Sequence, residues 1–122
     1  MISTLIIDDD PMARRVLAES LEKSFGPVNI VGTAECVECG LALIHLHDPD
    51  LVFLDVEMPD GTGFDLLDKL SRWRFKLAVL SSCFEYRPIA ETYAAQKFML
   101  KPLNLQMLHH FVSGVISEYE NS

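Results

Sequence analysis

Four polar groups each follow directly on an apolar run. Asp8, Asp9 and Asp10 follow Leu5-Ile6-Ile7; Asp55 and then Glu57 follow Leu51-Val52-Phe53-Leu54. Ser81 and Ser82 follow Ala78-Val79-Leu80, and Lys101-Pro102 follows Phe98-Met99-Leu100. Brought to one place, the carboxylates of Asp8, Asp9 and Asp55 repel one another in a partly dry pocket, so that either a pKa rises or a cation compensates. An all-oxygen acidic site suits Mg²⁺, which keeps several waters and takes one or two carboxylates plus phosphate oxygens. Lys101 adds a fixed point charge and Ser81 a small hydroxyl donor. A cation, an ammonium and a hydroxyl around one carboxylate is the set phosphoryl transfer requires, because the group in transit spreads negative charge over its equatorial oxygens. In that chemistry Asp55 is the nucleophile and forms an acyl phosphate.

These groups meet only if the runs before them are strands of one sheet. Strands are expected at residues 4–7, 29–33, 51–54, 78–80 and 98–100, most of them continuously apolar, as strands buried on both faces of a parallel sheet are. Helical spacing fills the intervals. Residues 11–24 repeat Ala13, Val16, Leu17 and Leu21 behind Pro11; residues 35–47 repeat Val37, Leu41 and Ile44 around an unfavourable Gly40. Further helices are expected at 64–73, 85–95 and 105–119, the last carrying Leu105, Leu108, Val112, Val115, Ile116 and Tyr119 as an amphipathic stripe. Strict alternation of five strands and five helices implies an α/β, doubly wound parallel sheet, which gathers ligands at the carboxyl ends of its strands.

At 122 residues the chain has the size of one domain, and residues 1–122 are read as a single unit. The net charge of -8 is lopsided: residues 1–61 hold 12 acids against 3 bases, residues 62–122 hold 6 against 7. This excludes a phosphate-backbone-binding surface, which needs clustered Lys and Arg, so no direct nucleic-acid contact is expected. No apolar run reaches the roughly 18 residues of a membrane span. The start MISTLIIDDD has neither the basic residues nor the cleavage site of an export signal, and a cytoplasmic location is expected. For three cysteines in such a chain a disulfide framework is not expected. Cys36-x-x-Cys39 lacks a second pair of ligands at zinc spacing, and Cys83 stands apart.

The segments LIIDDDP (5–11), LVFLDVEMPDGTG (51–63), AVLSS (78–82) and FMLKP (98–102), in this order at strand ends, make the chain resemble the receiver domain of bacterial two-component response regulators, the CheY-like family, from residue 4 to about 119. The resemblance implies a flavodoxin-like three-layer sandwich with strand order 2-1-3-4-5. It implies Asp55 as phosphoacceptor, and Asp9, Asp8, Asp55 and the Glu57 backbone carbonyl as Mg²⁺ ligands. Ser81 is then the hydroxyl switch residue, Lys101 the lysine that contacts the phosphoryl group, Phe98 the aromatic switch residue, and the Lys101-Pro102 bond cis. Asp10 lies beyond the acid pair, as an exposed helix-start residue. The sequence departs from the family in having Ser rather than Thr at position 81, Ala94-Ala95 where Gly-Ala is usual, and Phe rather than Tyr at 98.

Each feature has a plainer reading in isolation: an Asp-Asp-Asp-Pro run can merely cap a helix, a lone lysine is usually solvated, and a lone Phe98 is core. As an enzyme, Asp60-Gly61-Thr62 matches part of a phosphatase signature whose nucleophile would fall on Met58, which cannot serve. The chain is therefore read as a phosphorylation-controlled switch and not a turnover enzyme, the alternative being a pseudoreceiver that binds partners unmodified. Its implied partners are a sensor histidine kinase or phosphorelay protein, and an effector domain or protein or a second copy docked on the fourth helix, fifth strand and fifth helix through Tyr86, Tyr93, Gln96 and Lys97. The opening helix ARRVLAESLEK and the FMLKPLNLQML segment also resemble receivers that precede a LytTR-type DNA-binding domain.

Overall fold

The strand that carries Asp55 is the most deeply buried in the molecule: from Leu51 to Leu54 no residue is more than 1% exposed. Such a strand needs cover on both faces, and the computed structural model, which describes residues 1–121, supplies it. Strands β1 (Ile2–Ile7), β2 (Val28–Ala34), β3 (Leu51–Asp55), β6 (Lys76–Ser81) and β7 (Lys97–Leu100) form one parallel sheet in the order β2-β1-β3-β6-β7. Numbered without the small ribbon described below, this is the expected 2-1-3-4-5. Helices α1 (Pro11–Ser24) and α5 (Leu105–Glu120) cover one face, packing Leu17, Leu21, Leu108, Val112 and Val115 onto Ile6, Phe53, Ala78 and Leu80. Helices α2 (Val37–His47), α3 (Gly63–Asp68) and α4 (Arg87–Thr92) cover the other, packing Val37, Ile44, Phe64, Leu67 and Ala90 onto Leu5, Ile7, Val52, Leu54 and Val79. Neighbouring strand residues thus feed opposite cores, as the period-two geometry of a strand dictates. No helix among the described residues is long and apolar enough to cross a membrane.

Three elements differ from the sequence reading. A two-stranded antiparallel ribbon, β4 (Glu57–Met58) and β5 (Gly61–Thr62), follows β3 where a turn was expected. Helix α3 stops at Asp68 instead of running to Trp73, because the chain must turn back into β6; Trp73 instead stacks on Phe75, with ring centroids 5.9 Å apart. The expected helix 85–95 becomes a 3₁₀ turn at Phe84–Tyr86 followed by α4, which ends just before Ala94 turns into the left-handed region at φ 59°. Gly40, read as a weakness of α2, has a packing reason there: a Cβ on it would stand 2.9 Å from a Leu66 methyl and 3.0 Å from an Ile7 methyl, and these side chains would have to shift.

The cysteines also depart from expectation, since Cys36 and Cys39 are paired as a disulfide, leaving Cys83 free. The reason is local. Cys36 is the N-cap of α2, in extended conformation, and its side chain folds back over the first turn to accept a hydrogen bond from the Cys39 amide. An N-cap and the third residue of the helix lie close enough, Cα to Cα 5.3 Å, for their sulfurs to meet.

Candidate functional site

The register of the sheet decides which strand ends share a level. Ile7 pairs with Leu54, so Asp8 lies beside Asp55; Asp55 pairs with Leu80 and Ser81 with Leu100, which sets Ser81 and Lys101 one and two steps beyond on the far side. The backbone is held there: the Val56 amide donates to Leu80, the Asp8 amide to Ala34 and the Lys101 amide to Ser81. The Lys101-Pro102 peptide is cis. All four groups read from the sequence therefore meet at one edge.

Asp8, Asp55 and Ser81 are buried while Asp9 and Glu57 face solvent. Carboxylate oxygens of Asp8, Asp9 and Asp55 lie within 4.8 Å of one another. The Lys101 ammonium reaches in between, 2.6 Å from Asp8 and 3.2 Å from Asp55. Asp8 is fixed further by the Asp10 amide, which donates to its carboxylate, and by Arg14, which donates to its backbone carbonyl at 2.7 Å. Asp10 itself is the N-cap of α1, accepting from the Met12 amide, so of the three aspartates only this one takes the capping role. The Ser81 hydroxyl accepts from the Cys83 amide and keeps its own proton free to donate.

Burial first, and then the charges of Asp8 and Asp9, push the Asp55 pKa up to about 7, against the opposing pull of Lys101. Burial works to lower the Lys101 pKa, but its hydrogen bond to Asp8 and the charges of Asp55 and Asp8 outweigh it, so the ammonium stays firmly protonated. One cation between two buried carboxylates, with a third at the rim, leaves the cluster net negative. Asp9, Asp55, Glu57, Ser81, Ser82 and Lys101 line a polar hollow of about 160 Å³. A hard divalent cation fits both the donor set and the uncompensated charge.

Against this geometry, the family comparison is decisive: the model of the response regulator receiver domain matches residues 4–113. The chain belongs to that family. An uncharacterized response regulatory protein of Vibrio cholerae is 33% identical to this receiver domain over 123 residues, covering 100% of this chain and 52% of the relative. The sensory transduction protein LytT of Bacillus anthracis is 32% identical, covering 85% of this chain and 40% of that protein. The crystal structure of the response regulator TrrA of Thermotoga maritima, in complex with Mg²⁺-BeF, is 28% identical, with a TM-score of 0.80 over 94% of this chain and 99% of that one. The receiver domain spans about half the length of the curated relatives it matches.

Sequence reasoning missed the parts that hold Asp55 from behind. Gly63 opens α3 directly against β3, where a Cβ would stand 2.5 Å from the Asp55 carbonyl oxygen, and its amide donates to Val56. Thr62 and Asp65 form a reciprocal capping box on α3, and Asp60 caps α2 from a distance, accepting from the Val37 and Glu38 amides. The Thr-x-x-Asp spacing could have signalled the box; nothing local signals the contact across 23 residues. Phe98 is half-buried beside the α4–β7–α5 face. Of the surface residues read from the sequence, Tyr93 instead stacks on Phe64 and donates to Asp68, and Tyr86 also packs on Phe64. Gln96 ties β7 to Leu77, and Lys97 lies within β7. The apolar part of that face is carried by Phe84, Leu100 and Met107, which the sequence reading passed over.

Proposed function

We propose that this receiver domain is a phosphorylation-controlled switch in which Asp55 accepts a phosphoryl group from a sensor histidine kinase or phosphorelay protein. The observation that carries the reading is the placement of a buried carboxylate, a buried hydroxyl and a charge-paired lysine around one polar hollow. An Asp55 oxygen attacks phosphorus, the bond from phosphorus to the donor's imidazole nitrogen breaks, and an acyl phosphate forms. Asp8, Asp9, Asp55 and the Glu57 carbonyl would hold a Mg²⁺ ion, which would supply charge neutralisation for the phosphoryl oxygens. Lys101 turns from its carboxylate partners toward the transferred oxygens, and the Ser81 hydroxyl donates to them. Their movement frees space beside β6, the Phe98 ring turns inward, and the α4–β7–α5 face changes its partner preference. The modification thereby biases a bistable surface.

Beside Lys101 an apolar trough of about 470 Å³, bounded by Met12, Val16, Leu17, Pro102, Leu105 and Leu108, gives a donor protein a place to sit next to the acceptor. The exposed Phe84, Leu100 and Met107 give an output partner or a second copy an apolar seat on the opposite flank of β7. The relatives at twice this length and the LytT likeness support a LytTR-type output domain in the same regulator, with residues 1–122 as its receiver.

Intact mass after incubation with acetyl phosphate tests the reading. A gain of about 80 Da that requires Mg²⁺, disappears with a chelator and is absent in Asp55→Ala supports it. No gain from folded protein that also fails to bind beryllofluoride overturns it in favour of an unmodified interaction module.

A further inference from the structure

We propose that Cys36 and Cys39 form a reversible thiol–disulfide site that exchanges with a dithiol reductant while the domain stays folded. The pair closes a ring across only two intervening residues at the first turn of α2, just after the end of β2. So short a ring removes little freedom from the unfolded chain, and the fold does not depend on it. Val37, between the two cysteines, is itself buried, and the Asp60 carboxylate ties its amide and that of Glu38 to the β4–β5 ribbon. The first turn of α2 is therefore held in place whether or not the sulfurs are joined.

Access and leaving group are both set by the helix start. Cys39 is exposed and Cys36 half-buried. A hollow of about 130 Å³ is bounded by Arg14, Thr33, Ala34, Glu35 and Cys39 and gives an incoming thiolate room to approach exposed Cys39. Attack there forms a mixed disulfide to Cys39 and expels Cys36 as thiolate. That sulfur already accepts the Cys39 amide hydrogen at the positive end of α2, the setting that stabilises a thiolate. The second thiol of the reductant then attacks its own mixed-disulfide sulfur and releases the Cys39 thiolate. Overall the protein disulfide gains two electrons and two protons, and the dithiol becomes a cyclic disulfide. Glu35, Glu38 and Asp60 around the site favour a neutral or cationic dithiol over an anionic one.

The native chain is equilibrated with mixtures of reduced and oxidised dithiothreitol, quenched with a maleimide, and its alkylated thiols are counted by mass while far-UV circular dichroism is followed in parallel. The expected result is one alkylated thiol, Cys83, under oxidising mixtures and all three under reducing ones, through a single two-electron transition with no loss of ellipticity. In Cys39→Ser, whose exposed side chain leaves packing intact, two thiols are expected in every mixture. Three thiols in all mixtures, a bridge that opens only after urea unfolds the chain, or a transition that persists in Cys39→Ser would each overturn the proposal.

Discussion

Replacing Asp55 by asparagine turns the burial of its charge into a measurable slope of stability against pH. The carboxyl pKa sits at about 7 in the folded chain, against an ordinary value of 3.8. Between those two pH values the folded chain holds a proton on Asp55 that the unfolded chain has released. Folding therefore takes up a proton, and stability falls as pH rises, levelling off above the folded pKa. The slope is about 1.4 kcal/mol per pH unit, so that from about pH 5 to about pH 8 wild type loses on the order of 2 to 3 kcal/mol relative to Asp55→Asn. Urea unfolding of both chains across that range, without divalent cations, measures it; the difference between them cancels the titrating groups that do not interact with Asp55. The substitution does not strand the lysine, because Lys101 keeps Asp8 at 2.6 Å. Excess Mg²⁺ is expected to flatten the wild-type slope, since a cation beside Asp55 favours its charged form. A difference between the two chains that stays constant from about pH 5 to about pH 8 refutes the reasoning.

Gly63→Ala forces a Cβ to within 2.5 Å of the Asp55 carbonyl oxygen and 2.9 Å of Leu54, and is expected to cost about 2 to 3 kcal/mol in urea unfolding. Ala94→Gly relieves a left-handed backbone at φ 59°; the relief outweighs the added chain entropy of glycine and raises stability by about 0.5 to 1 kcal/mol in the same assay. Lys101→Met removes the cation between Asp8 and Asp55, and phosphoryl uptake from acetyl phosphate, followed by mass, is expected to slow about a hundredfold while far-UV circular dichroism is retained.

The acids, the hydroxyl and the lysine were legible because each follows a strand, and a strand buried on both faces has an unmistakable apolar signature. The parallel doubly wound sheet followed from the alternation of the elements, and its strand order from the family likeness. The lengths of α3 and α4 were not legible, since their ends are set by where the chain must re-enter the sheet and by a left-handed Ala94 that no local preference announces. Gly40 shows the same limit from the other side: propensity marks it as a defect of α2, whereas a larger residue there would press on the Ile7 and Leu66 side chains.

By itself the sequence marked which residues have the chemistry for such a site and at which strand ends they stand, because residue type and apolar periodicity are local properties. Only the tertiary structure decided that Lys101 bridges Asp8 and Asp55, that Asp60 caps a helix 23 residues before it, that Tyr86 and Tyr93 turn toward Phe64, and that Cys36 meets Cys39. Strand register, helix start and side-chain direction act together in each of these contacts. The raised pKa of Asp55 belongs to the same class, since it comes from burial and from neighbouring charges that the fold alone brings within reach.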